Sequence, residues 1–169
     1  MWWDESSGLS RITAIADSRA AFEKKKHEWV PFTELTVKLF AIPLRCRELE
    51  KSRDTQRGGV WTNPYHVTQI GIAFAGYCFE ALTIIALVEK CMGSLATMGS
   101  ATLPEPEMTA NFVEAMADRH PKTHTRTDTQ SFQFLIFGFW PETKSPWLAE
   151  LSYWKGDQDE KGISRLLRR

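Results

Sequence analysis

The sequence predicts an α+β fold in which strands and helices are grouped, not alternated. Three observations carry this. β-branched and aromatic runs come early, at residues 12–16 and 35–42. A long apolar stretch, residues 70–92, then passes from a strand-like run through glycine into a helix-like run, and a second helical pattern follows. Two aromatic runs joined by a short turn, residues 132–140 and 147–154, close the order as a hairpin. Helices gathered after a run of strands fit a layered α+β domain and not a parallel sheet of βαβ units.

The elements follow in order. Trp2-Trp3 and residues 12–16 flank the polar DESSG segment of residues 4–8, which reads as the turn of a short hairpin. Residues 21–34 are a charged connection with Lys24-Lys25-Lys26, read as a solvated loop in preference to a basic binding site. Residues 35–42, LTVKLFAI, form a strand that Pro43 closes. Lys38 lies inside it between Val37 and Leu39. Such a lysine usually snorkels to the sheet surface; less often it is held charged in a site. Residues 45–66 are a polar insertion with Gly58-Gly59 and Asn63-Pro64, an exposed loop or the tip of an extended hairpin.

The 70–88 run has one charge, Glu80, and by length alone could span a membrane. Gly71, Gly76 and Tyr77 interrupt it, and no basic cluster flanks it. It reads instead as a buried strand at 69–74, a turn at Gly76 and a buried helix from about 78 to 95. That helix is apolar nearly all round, so it needs cover on more than one side. After a Ser/Thr/Gly/Pro linker, residues 106–119 form a second helix, with Met108, Phe112, Val113 and Met116 at helical spacing and Glu107 in the first turn. His120 and His124 are four apart, but Pro121 breaks a helix there and no third ligand is near, so no metal site is expected. Residues 155–169 read as a polar tail or a short amphipathic helix.

The 169 residues suffice for one domain, placed at 1–154 with the insertion at 45–66 and the tail at 155–169. Lys+Arg and Asp+Glu both number 21, which argues against nucleic acid or an anionic membrane as the main partner. Seven Trp and ten Phe suit a core and also subunit interfaces. Cys46, Cys78 and Cys91 have no CxxC spacing and read as reduced, buried thiols of a cytoplasmic protein. The N-terminal MWWDESSG has neither the basic nor the apolar region of a signal peptide. No Ser-His-Asp set, Walker loop or HExxH occurs.

Four ordered blocks resemble the proteasome-like N-terminal nucleophile hydrolases, and the proteasome β-subunit in particular. ITAIADSRA is similar to the strand that ends Ala-Asp-(Ser/Thr)-Arg-Ala. VKLFAI is similar to the strand that carries the active-site lysine. GIAFAG with its long helix is similar to the strand whose last glycine forms the oxyanion site, and FQFLIFGFWPET to a later strand ending in a turn. The resemblance implies a four-layer αββα sandwich, incomplete at the C-terminus. It implies a catalytic set of Asp17 as orienting carboxylate, Lys38 as buried cation and Gly76 as oxyanion donor, with Arg19 supporting them. No cofactor or metal is implied. The partners would be further copies of the chain in a ring and a peptide or unfolded-protein substrate, in the cytoplasm.

Two departures shape the functional expectation. The nucleophile of such enzymes is a first-residue Thr, Ser or Cys, whereas Met1 is followed here by Trp2. The family's later Ser-Gly segment and helices are replaced by residues 155–169. The expectation is therefore a peptide-bond hydrolase homologue that starts late. The alternatives are an inactive structural ring subunit and, in a different class, a small membrane-associated or partner-binding protein built on residues 70–88.

Overall fold

The computed structural model describes residues 2–4, 11–16, 20–25, 28–33, 36–50, 60–61, 63–97, 101–123, 131–140, 142–143, 145–155 and 161–168. Two short antiparallel pairs open the chain, β1 (Trp2–Asp4) with β2 (Arg11–Thr13) and β3 (Ala20–Lys25) with β4 (Glu28–Thr33). Then follow β5 (Leu39–Glu50), β6 (Val60–Trp61), β7 (His66–Gly76), α1 (Cys78–Met92), β8 (Leu95–Thr97), α2 (Pro106–Thr123), β9 (Phe132–Trp140), β10 (Ser145–Lys155) and β11 (Lys161–Arg168). The class is α+β. Five long strands form the body of one sheet in the order β11-β10-β9-β7-β5, each antiparallel to its neighbour. β6 and β8 add to the later part of β5, and the parallel β5–β8 pair makes the sheet mixed.

Side chains alternate across a strand, so register decides which residues share a face. Here it gathers Ile42, Leu44 and Cys46 of β5, Ile70, Ile72 and Phe74 of β7, Phe132, Phe134 and Ile136 of β9, and Ala149, Leu151 and Tyr153 of β10. All of these are buried. Ala41, Gln69, Ala75, Gln133 and Glu150, on the opposite face, are exposed. Both helices cover the first face: α1 packs on β5, β7 and β9, and α2 packs on α1, β9, β10 and β11. The two helices thus form one layer on the large sheet, and β1–β2 and β3–β4 are separate two-stranded sheets.

Pro43 lies inside β5, opposite Gln69, and does not end the strand. The reason is the ladder's alternation. The Phe74 N–H donates to Lys38 O at 3.0 Å, so that facing pair is hydrogen-bonded. Counting along the register, Ile42–Ile70 is hydrogen-bonded and Pro43–Gln69 is not. The missing donor of Pro43 thus points away from β7, to the edge of β5 that β8 pairs only from Cys46 to Glu48, so no described strand faces it at residue 43. Pro43→Ala is expected to change stability by less than about 1 kcal/mol. Ile42→Pro, one residue away, removes a ladder bond and should cost about 3 kcal/mol or more. Urea unfolding of the two variants checks the contrast.

Tyr153 stacks on Phe132 with ring centroids 5.0 Å apart and is only 4% exposed. Among the described residues its hydroxyl has no hydrogen-bond partner. Burial, and secondarily the Asp118 charge, push the phenol above its ordinary value of 10.0. The unfolded chain then releases this proton first as pH rises, so stability falls above about pH 10. Burial likewise raises the Cys46 thiol, whose contribution is lost from its ordinary value of 9.0 upward. Tyr153→Phe removes the unpartnered hydroxyl. It should leave stability at neutral pH unchanged or raised by up to about 1 kcal/mol, and should lessen the alkaline loss. Unfolding curves on either side of pH 10 test both parts.

The structure corrects several element readings. Residues 21–34 hold the β3–β4 pair and are not a plain loop; Ala21-Phe22 and Trp29-Val30 supply strand-forming residues on either side of a charged turn. Of the two readings of residues 45–66 the extended hairpin holds and the plain loop does not: β5 continues to Glu50 and β6 pairs back on its end. Residues 95–97 of the expected linker form β8. α2 continues past Arg119 through His120 and Pro121 to Thr123. A proline in the last turn removes a single donor, and the burial of Ala117 and His120 keeps that turn docked. Residues 161–168, read as tail or helix, form β11 along Leu148–Lys155 of β10, an edge that would otherwise be unpaired. All three cysteines are free as expected, but Cys78 is half-buried and Cys91 exposed. No helix among the described residues is long and apolar enough to cross a membrane.

Candidate functional site

The predicted site residues divide into two groups. Asp17 and Arg19 lie outside the described residues. Lys38 and Gly76 are described, and the fold brings them to one end of two neighbouring strands. Lys38 is half-buried, one residue before β5, so it sits at the mouth of the strand and not in its middle. Its carbonyl accepts the Phe74 N–H, two residues short of Gly76.

Gly76 ends β7 with φ +95°, a conformation that L side chains rarely adopt. A Cβ there would lie 2.5 Å from Ser131 O and 2.9 Å from Phe132 Cα, so backbone, not a movable side chain, blocks it. The direction of the Gly76 amide follows from the ladder. Tyr77 N–H donates to Ser131 O at 3.2 Å on the β9 side, and Phe74 N–H donates to Lys38 O on the β5 side. Successive amides alternate, so the Gly76 N–H shares the direction of Phe74 and points to the β5 side, one step beyond Lys38. β5 starts only at Leu39, and no β5 residue faces Gly76. A backbone N–H and a lysine backbone position thus share one sheet corner.

α1 starts directly behind this corner. Tyr77 is its N-cap, in an extended conformation, and supplies no side-chain cap. Glu80 in the first turn is 7% exposed and lies where the positive helix end favours a carboxylate. Further along β5 and β7, towards Ala41 and Gly71, the sheet face away from the helices bears a cavity of about 560 Å³. Its floor includes Leu39, Ala41, Gly71 and Phe137, and Ile12 and Ala14 form another wall. The segment that leads to Asp17 therefore lies over the open face of the sheet. Phe137 packs onto Gly71 so closely that a Cβ there would come 2.2 Å from its ring.

Sequence reasoning weighed His120 only as a metal ligand and passed over Tyr153; His120 is 5% exposed on α2 and Tyr153 4% exposed on β10. The proline after His120 suggested a loop, and nothing local marks either residue as buried. His124, the other half of the histidine pair, lies outside the described residues. Among the described residues no group of three His, Cys, Asp or Glu gathers as a metal site. No family model, curated protein or solved structure matches this chain.

Proposed function

We propose that the chain is a homologue of the proteasome-like N-terminal nucleophile hydrolases, with the Lys38–Gly76 corner as its site for peptide-bond hydrolysis. One observation carries this reading: the Phe74–Lys38 bond and the φ +95° of Gly76 set a lysine and an outward backbone N–H on the same corner. In the proposed chemistry Lys38 favours the deprotonated nucleophile, Gly76 N–H binds the oxyanion, Asp17 orients Lys38, and Arg19 supports Asp17. The sheet with α1 and α2 would be one αβ half of the four-layer αββα sandwich. β1–β2 and the segment over the open face would begin the other half.

The substrate class is a peptide or unfolded protein, the setting cytoplasmic, and no cofactor takes part. A second reading keeps the fold without catalysis, as a structural ring subunit. The outer face of α1 favours it: Phe79, Leu82 and Leu87 are exposed at 58%, 38% and 44%, which suits contact with another copy. Intact mass and terminal sequencing of the protein from its native gene separate the readings. A first-residue Thr, Ser or Cys with peptide hydrolysis supports the enzyme; a Met1 terminus without hydrolysis supports the structural subunit. In a form that hydrolyses peptides, Lys38→Ala is expected to lower kcat by about 10²-fold or more with little change in Tm. Unchanged turnover would remove Lys38 from the site.

A further inference from the structure

We propose a second site, a pocket for an aliphatic ammonium group, between the start of α2 and the β9–β10 hairpin. It lies at the end of β9 farthest from Gly76 and does not depend on the hydrolase reading. A cavity of about 220 Å³ is lined by Trp140, Trp147, Glu105, Glu142 and the Thr143 and Ser145 segment. Trp147 is 5% exposed, and its indole lies against Gly138, where a Cβ would meet it at 3.2–3.3 Å; it is a fixed wall. Trp140 is half-buried, and its indole N–H donates to Glu142 Oε2 at 3.4 Å, which holds that carboxylate beside the ring.

Charge and size select the occupant. Indole faces attract a cation within about 6 Å through their quadrupole, and carboxylates add direct attraction. The start of α2 opposes a cation with roughly half a positive charge. Glu105 and Glu142 bring two negative charges, so the sum favours a cation and rejects an anion. The cavity falls below the roughly 300–1,000 Å³ of drug-sized sites. It therefore suits one short alkylammonium, whether a free amine or the side chain of a peptide lysine.

The test is titration of the full chain with n-butylammonium, with N-acetyl-lysine methylamide and with n-butanol as neutral isostere. Indole N–H signals assigned by Trp140→Phe and Trp147→Phe report occupancy. Saturable shifts of these two indoles with both ammonium probes are expected, and none with butanol. Glu142→Gln should weaken binding roughly tenfold, and Glu105→Gln in the same direction. Both carboxylates are exposed, so the variants should keep the wild-type Tm. Binding of n-butylammonium alone assigns the pocket to free amines; binding of the lysine derivative as well assigns it to peptide side chains. No saturable shift, equal shifts with butanol, or unchanged affinity in both glutamate variants would overturn the proposal.

Discussion

Phe134→Ala is expected to cost about 3–5 kcal/mol, the largest loss from any single truncation proposed here. Phe134 is 1% exposed in the first half of β9, opposite Phe74 of β7 and Leu151 of β10. Its ring is 5.2 Å from that of Phe132, which in turn stacks on Tyr153. Removing it forfeits the transfer free energy of the ring and leaves a void that the sheet below and the helices above fill only in part. A domain of this size is held by roughly 5–15 kcal/mol, so the variant loses about a fifth or more of its stability. Thermal unfolding should show Tm lower by at least about 6 °C, at about 2–4 °C per kcal/mol. A shift below 2 °C would mean that the β7–β9–β10 core does not pack as described. Glu150→Ala, on the exposed face of the neighbouring strand, should stay within about 0.5 kcal/mol.

Gly76→Ala is expected to damage fold and site together. Alanine at φ +95° costs about 1–3 kcal/mol in backbone strain alone. Its methyl would also meet Ser131 O at 2.5 Å, so the β7–β9 ladder must open at Tyr77–Ser131 or α1 must shift. Either movement turns the Gly76 amide. Stability should fall by about 2–4 kcal/mol, whereas an unstrained Gly→Ala change raises it by about 0.4–1 kcal/mol. In a form that hydrolyses peptides, kcat should fall by about 10²–10³-fold, the usual cost of one lost oxyanion donor. An unstrained, fully stable Gly76→Ala variant would show that the turn is not the one described. Full turnover in a destabilised variant would separate the turn from the chemistry.

The sequence showed the β7–α1 passage and the β9–β10 hairpin well because each carries its own signal. In residues 70–92 the apolar run, the glycine and the long helical stretch are all local. Residues 132–140 were legible as a strand to the residue because aromatic density and the bounding polar segments agree. Pro43 misled because a proline's tolerance depends on whether its side of the strand is paired, and that is decided by residues far along the chain. β11 was illegible for a similar reason: KGISRLLR has a weak pattern of its own and becomes a strand by pairing with the edge of β10. The candidate corner was legible only in pieces. Lys38 and Gly76 stand 38 residues apart, and only the register that sets Phe74 against Lys38 joins them.

By itself, then, the chain determined its α+β class, its strong strands and helices, and the apolar character of α1, since periodicity and turn residues act over a few positions. The tertiary structure decided which face of each strand is buried, where the outer side of α1 remains exposed, and that the pocket between Trp140 and Glu105 exists at all. Those properties depend on pairing and docking between segments tens of residues apart, and no local pattern encodes the partner.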